Sequence, residues 1–443
     1  MDTRTYWWKS AKLYELYIDK FAGDINGLIS HLDYFTSLGV NTLHLLPHYP
    51  SPMVDDGYDI MDYRGVRDEL GTIEDFQHLV EEAHKRGLRI IIDFVLNHTS
   101  NQHPWFIEGS ASKKNPKRDF YLWRDIDYGF EGSLNAFPDI KPQNWIANPP
   151  TEDYYFATFY PQQPDLNWDN PEVFDAMVGN MEYWAQMGVD GFRLDAAPFL
   201  IKRENSTSRG LPETHQVIKN IRARLQKNYP DAVLLAEAAQ SVALTKTYFG
   251  NGDECHMAYH FPLMEQLWMA LMFDEKTRVS DMLEHSFDIP DNCQWGTFLR
   301  NHDEISLATL PIQERKDLVM RMDPEQKYLF AKMGFTSMRV AEVFQGNQQK
   351  ILDALAMLYA SPGAPIMYYG DEIGMRNLPV EEGVVDTRKY VRGAFDWDEA
   401  DRQAKDPNST LSLTAKIIRG GGVGQIVETT PAEEKAPAEV QEA

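Results

Sequence analysis

Eight short apolar runs, each leading into a stretch with helical spacing, constrain this chain more than any other feature. The runs are "LYELYID" (13–19), "NTLHLLP" (41–47), "LRIIIDFVL" (88–96), "VDGFRLDA" (189–196), "AVLLAEA" (232–238), "CHMAYHF" (255–261), "WGTFLRNHD" (295–303) and "APIMYYGDEIG" (364–374). The most apolar of them, "LRIIIDFVL", shows no polar alternation, as expected of a strand buried on both faces. Helical patterns separate the runs, among them "NGLISHLDYFTSLG" (26–39), "IEDFQHLVEEAHKRG" (73–87) and "PEVFDAMVGNMEYWAQMG". Parallel strands joined by right-handed helical crossovers give an α/β fold, and eight of them point to a (β/α)8 TIM barrel. An open doubly wound sheet is the alternative, disfavoured because no glycine-rich phosphate turn follows the first strand.

The rhythm breaks once, between residues 98 and 169, in a stretch rich in Pro, Asn, Asp and aromatics. It reads as a small domain inserted after the third strand, and insertions of that length usually carry function. The expected division is barrel over 1–97, insertion over 98–169 and barrel again over 170–419. "NSTLSLTAKIIRG" supplies the eighth helix, and the Gly-, Pro-, Ala- and Glu-rich tail 420–443 is expected to be disordered. Trp105, Trp123, Trp145 and Trp168 are expected mostly to form the insertion's own core.

A formal charge of -24 offers no counter-charge to nucleic acid or to an anionic membrane, which argues against both as partners. Two cysteines, Cys255 and Cys293, exclude a disulfide framework or a thiolate metal cage. The N-terminus has no apolar core of signal-peptide length, so a cytoplasmic location is the expectation. His44, His48, His84 and His103 form no metal-spaced cluster and are assigned no role.

Barrel catalysis takes place at the C-terminal ends of the strands. Those ends carry Asp93, Asn97 and His98 on strand 3, Arg193 and Asp195 on strand 4, Glu237 on strand 5 and "RNHD" (300–303) on strand 7. Three acids, Asp195, Glu237 and Asp303, therefore converge, and their mutual repulsion needs a reason. Glycoside cleavage supplies one: a carboxylate attacks or stabilises the anomeric carbon, and a second, of raised pKa, protonates the leaving oxygen. Arg193 is positioned to keep Asp195 ionised and aimed.

The blocks "DFVLNH", "GFRLDAAPF", "LLAEA" and "FLRNHDE" resemble the signatures of the alpha-amylase family of glycoside hydrolases, family 13, over residues 10 to 400. The resemblance implies Asp195 as nucleophile, Glu237 as general acid/base and Asp303 as the residue holding the distorted sugar. It also implies that Tyr58 stacks on that sugar and that His98 and His302 hydrogen-bond its hydroxyls.

Within the family, "HYPSPMVDDGYDIMDYRGV", "NHTSNQHPWF", "QPDLNWDNPEVFDAM", "LPETH" and "GDECHMAYHFPLM" resemble trehalose synthase (maltose glucosyltransferase). In the related group acting on short α-glucosides, an Asp/Arg pair closes the pocket behind the substrate. Asp59 and Arg392 are the expected counterparts. The resemblance also implies a structural calcium site on Asn97, Asp165 and Glu204; no cofactor is required for the chemistry. Three departures stand out: a short "FAGDINGL" connection resembling amylosucrase, an unusual "VVDTRKYVRGAFDW" after strand 8, and a C-terminal β-sandwich that is absent or truncated. The expected partner is a small α-glucoside, processed by hydrolysis or by transfer. A sucrose-active amylosucrase-like enzyme and a non-catalytic or degenerate relative remain the alternatives.

Overall fold

The computed structural model describes residues 6–330 and 334–420. Eight parallel strands close into a barrel: β1 (Leu13–Leu16), β2 (Thr42–Leu45), β3 (Arg89–Val95), β4 (Gly191–Asp195), β5 (Val233–Ala236), β6 (Met257–Tyr259), β7 (Gln294–Phe298) and β8 (Ala364–Tyr368). Each strand pairs with its sequence neighbours, and β8 returns to β1 with Leu13 opposite Ile366. Each of the eight apolar runs holds one of these strands, except that β7 begins one residue before its run, at Gln294. Closure removes both sheet edges, and helices cover the outside, so the strands are buried on both faces.

The helix expected over 26–39 is two, Ile25–Ser30 and Leu32–Leu38, broken at His31. The His31 ring stacks on Trp397 at 3.6 Å between centroids, and Gly39 ends the second helix at φ 99°. Helix Thr410–Ile418 packs between the helices Leu32–Leu38 and Gln348–Ala360, which completes the outer ring. The tail expected to be disordered lies, from residue 421 on, outside the described residues.

Between β3 and β4 lie a helix, Pro104–Ala111, and a three-stranded antiparallel sheet of Trp123–Arg124, Asp153–Phe156 and Trp145–Asn148. Aromatic packing holds this unit together: Trp123 stacks on Phe106 at 5.6 Å and Trp145 meets Phe156 edge-on at 5.0 Å. Trp168 is buried and donates its indole N–H to the Leu96 carbonyl at 2.8 Å, fastening the unit to the end of β3. None of these tryptophans lines the cavity described next.

Candidate active site

The interior of the barrel is charged as well as apolar. Glu15 of β1 lies beside His44 of β2 in register, and Asp93 of β3 beside Arg193 of β4. All four side chains are fully buried, which is tolerable only if each charge is paired. His44 bridges Glu15 at 3.2 Å and Asp93 at 3.1 Å. A role for His44 was not expected from sequence; its two carboxylate contacts correct that.

Arg193 is the hub of the site. Its Nη1 donates to Asp93 Oδ1 at 2.8 Å and to Asp195 Oδ1 at 2.6 Å, and its Nη2 pairs with Glu237. It is therefore shared by three acids and is not the private partner of Asp195. Burial opposes ionisation of Asp93, but Arg193 and His44 overcome it and hold that carboxyl below the usual range. Burial pushes both Asp195 and Glu237 upward against the pull of Arg193, and neighbouring carboxyls, Asp303 among them, add to the rise. One cation faces three acids here, so the titrations of Asp195 and Glu237 depend on each other.

The residue after β4, Ala196, sits in the left-handed region at φ 48°. That conformation costs an L-residue roughly 1–2 kcal/mol. It directs the Ala196 N–H to Glu237 Oε2 at 3.1 Å.

Asp303 is treated differently by its surroundings. Burial would raise it, but His302 at 3.1 Å, Arg388 at 3.1 Å and Arg392 at 2.8 Å hold its carboxyl well below the ordinary range. His302 in turn takes its charge from Asp303 and Glu15, which outweigh burial and raise it to about 9. Tyr58 hydroxyl lies 2.7 Å from His302 Nε2, and the two rings stack at 5.3 Å. His98, lowered by burial to about 4, sits neutral with Nε2 3.2 Å from the Tyr58 carbonyl.

Asp195, Glu237, Asp303, Tyr58 and His98 all line one cavity of about 230 Å³, and Arg193 and His302 support them from behind. The expected pair Asp59 and Arg392 does not form. Asp59 is turned into its own loop, accepting from Ser51 hydroxyl and the Val54 and Asp55 amides at 2.9–3.1 Å. Arg392 pairs instead with Asp56 and Asp303. The pair that faces the cavity is Asp55–Arg388, at 2.8 Å, steadied by Gln163 on Asp55 and by Asp386 on Arg388.

Of the residues expected to bind calcium, Asn97 and Asp165 are brought together, on a lysine, and Glu204 is not. Lys202, fully buried, donates to Asn97 Oδ1 at 2.7 Å and pairs with Asp165 Oδ2 at 2.6 Å. Glu204 is engaged elsewhere, by Arg124 and by the Phe130 amide. An ammonium already supplies the positive charge there, so this trio does not fit a calcium cage, which needs 6–8 converging oxygens. Among the described residues no group of three or more His, Cys, Asp or Glu is arranged to hold a metal ion.

Sequence reasoning passed over Glu15, His44, Asp55 and Arg388. The signal for the first two was present: a single charged or ionisable residue inside an apolar strand, in "LYEL" and "TLHL", demands a buried partner.

A closed barrel whose strand ends gather three acids and an arginine around one cavity defines a carbohydrate-active barrel enzyme. The alpha amylase catalytic-domain model matches residues 8–353, and the chain belongs to the alpha-amylase family. It is 42% identical to the trehalose synthase/amylase TreS of Mycolicibacterium smegmatis over 391 residues, 85% of this chain and 65% of that protein. It is also 42% identical to trehalose synthase of Thermus thermophilus over 402 residues, 89% of this chain and 41% of that protein. The chain thus spans two-thirds or less of the length of these curated relatives. Among solved structures, the alpha-glucosyl transfer enzyme XgtA superposes with a TM-score of 0.73 at 26% identity, covering 94% of this chain and 84% of that one. No helix among the described residues is long and apolar enough to cross a membrane.

Proposed function

We propose that this chain is a retaining enzyme for short α-linked glucosides of maltose size, working through a covalent glucosyl-enzyme on Asp195. One observation carries the reading: a single buried guanidinium contacts both Asp195 and Glu237. That shared contact fits the ~5 Å carboxyl spacing of retaining glycosidases, where one acid attacks and the other protonates the leaving oxygen. The proton belongs on Glu237, raised by burial, for the first step and returns to it in the second.

Asp303, kept anionic by His302 and two arginines, is suited to hold sugar hydroxyls and to stabilise a cationic transition state. The Asp55–Arg388 pair ties the loop after β2 to the segment after β8 and walls that side of the cavity, which favours short substrates. The trehalose synthase relatives make maltose the substrate to test first.

Maltose is incubated with wild type and with Asp195→Asn, and products are followed by chromatography. Trehalose with little glucose means intramolecular transfer; glucose alone means hydrolysis. Either product is expected from wild type, with a loss of at least ~10³-fold in the variant. Near-normal turnover by a folded Asp195→Asn protein would overturn the mechanism.

A further inference from the structure

Behind the cavity wall, five side chains close a circuit of polar contacts. Glu15 Oε2 on β1 lies 3.2 Å from His44 Nδ1 on β2, and His44 Nε2 lies 3.1 Å from Asp93 Oδ2 on β3. Asp93 Oδ2 accepts from the Tyr58 hydroxyl at 3.0 Å, and that hydroxyl lies 2.7 Å from His302 Nε2. His302 Nδ1, 2.8 Å from Glu15 Oε1, closes the circuit. All five side chains are buried, and of them Tyr58 alone lines the cavity.

With both carboxyls ionised, one arrangement of protons satisfies every contact. A carboxylate has no hydrogen to give, so Glu15 needs an N–H on Nδ1 of both imidazoles, and Asp93 needs one on His44 Nε2. His44 is then an imidazolium. The Tyr58 hydroxyl has a single hydrogen, which Asp93 takes. His302 Nε2 therefore carries its own, facing the Tyr58 oxygen and Asp303 Oδ2 at 3.1 Å. His302 is an imidazolium too. Burial opposes charge on all three groups, yet Asp93 and Glu15 raise His44, Asp303 and Glu15 raise His302, and the two imidazoles hold Glu15 below the usual carboxylate range. Without the Glu15 charge, His302 would shed its Nε2 proton and accept the Tyr58 hydrogen. That reversal would take the phenol's hydrogen from Asp93 and point a lone pair at Asp303.

We propose that Glu15, which does not reach the cavity, is a positioning residue: its charge sets the direction in which this circuit donates, and so aims Tyr58 and Asp303 at the glucosyl unit. The proposal rests on the glucosyl-enzyme reading above. Glu15 is itself fixed by the His302 amide at 2.8 Å and the Tyr259 hydroxyl at 3.1 Å. Beyond the circuit, His302 is faced by Asp303, by Tyr17 edge-on at 6.0 Å, by Arg392, which donates to its carbonyl at 3.0 Å, and at longer range by Glu237.

The test follows His302 by NMR in protein labelled with carbon-13 at histidine Cε1, its resonance being the one lost in His302→Gln. Wild type is expected to titrate at about 9. Glu15→Gln keeps the shape but turns an N–H toward one imidazole. It is expected to move that midpoint down by about one pH unit or more and to lower kcat/KM on maltose by roughly tenfold or more at neutral pH. Glu15→Asp restores the charge and is expected to recover most of both. A midpoint unmoved by Glu15→Gln, a midpoint moved with no loss of rate, or an aspartate no better than the glutamine overturns the inference and leaves the glucosyl-enzyme intact. Should the glutamine variant not fold, Glu15→Asp decides alone, and a midpoint back at the ordinary 6.5 overturns the inference. Folded wild type that leaves maltose untouched removes the glucosyl-enzyme reading, and the inference falls with it.

Discussion

The Lys202 ammonium lies 2.6 Å from Asp165 Oδ2, joining the loop after β4 to the end of the insertion. Both side chains are buried, and Asn97 Oδ1 at the end of β3 shares the same nitrogen at 2.7 Å. Breaking one half of a buried pair leaves the other charge uncompensated, at a cost of about 3–5 kcal/mol. Lys202→Met is therefore expected to unfold at markedly lower denaturant concentration than wild type. A chelator is expected to leave the wild-type melting temperature unchanged. A chelator-induced drop of several degrees would show that a bound cation holds this junction instead.

Arg388 touches Asp55, Asp386 and Asp303 with its two terminal nitrogens, a role a lysine cannot copy. Arg388→Lys is expected to lower kcat/KM for maltose by roughly tenfold or more, with a smaller effect on longer maltooligosaccharides. Relative rates on maltose and maltopentaose read this directly; a uniform loss on both would show that the pair does not limit length.

Glu237→Gln keeps the shape of the acid/base but removes the proton. General acid catalysis is worth about 10²–10⁴-fold, and that share is needed only when the leaving oxygen is a poor one. The variant is expected to lose this factor on maltose and far less on p-nitrophenyl α-glucoside. Equal losses on both would move the proton donor elsewhere.

Glu372 is fully buried, its Oε1 accepting from the Tyr14 and Tyr34 hydroxyls, and burial raises it to about 7 from 4.5. The folded state thus binds its proton more tightly than the unfolded state. Its contribution to stability is present below pH 4.5 and is lost as pH climbs through 7. Glu372→Gln is expected to gain on wild type at pH 8, by an amount on the order of 3 kcal/mol, relative to their difference at pH 4. Denaturation curves at the two pH values test this, and a pH-independent difference would sink it.

His302 shows the same sign for a base. Asp303 and Glu15 raise it to about 9 from 6.5, so its stabilisation is complete below pH 6.5 and disappears by pH 9. His302→Gln is expected to flatten the fall in wild-type stability across that window, as read from melting temperatures at intervals of pH.

Much of this architecture was legible in the sequence because burial on both faces leaves a strong mark. Uninterrupted runs such as "RIIIDFV" can hardly be anything but interior strands, and the acids at their ends followed from strand polarity alone. The pocket-closing pair was not legible, and the reason is local. In "DDGYD" three aspartates compete for one orientation, and the chain reverses there, with Asp56 at φ 44° and Gly57 at φ 103°. That reversal turns Asp55 toward the cavity and sends Asp59 back into its loop. Spacing carries no trace of it. Arg388 and Arg392 posed a similar ambiguity: they lie one at each end of the short helical segment Thr387–Val391, and both reach Asp303. Two of the residues read as calcium ligands, Asn97 and Asp165, hold Lys202 between them, and a list of oxygen ligands carries no trace of that ammonium.

The Asp55–Arg388 wall has a kinetic corollary. On the proposed reading a glycan does not thread past that end, so only a terminal residue reaches Asp195, and every catalytic event is followed by release of what remains. That reading leaves no place for processive sliding along a polymer. Throughput then depends on how often free chain ends collide with the enzyme, and a solution of many short sugars serves it better than the same mass of glucose in a few long ones.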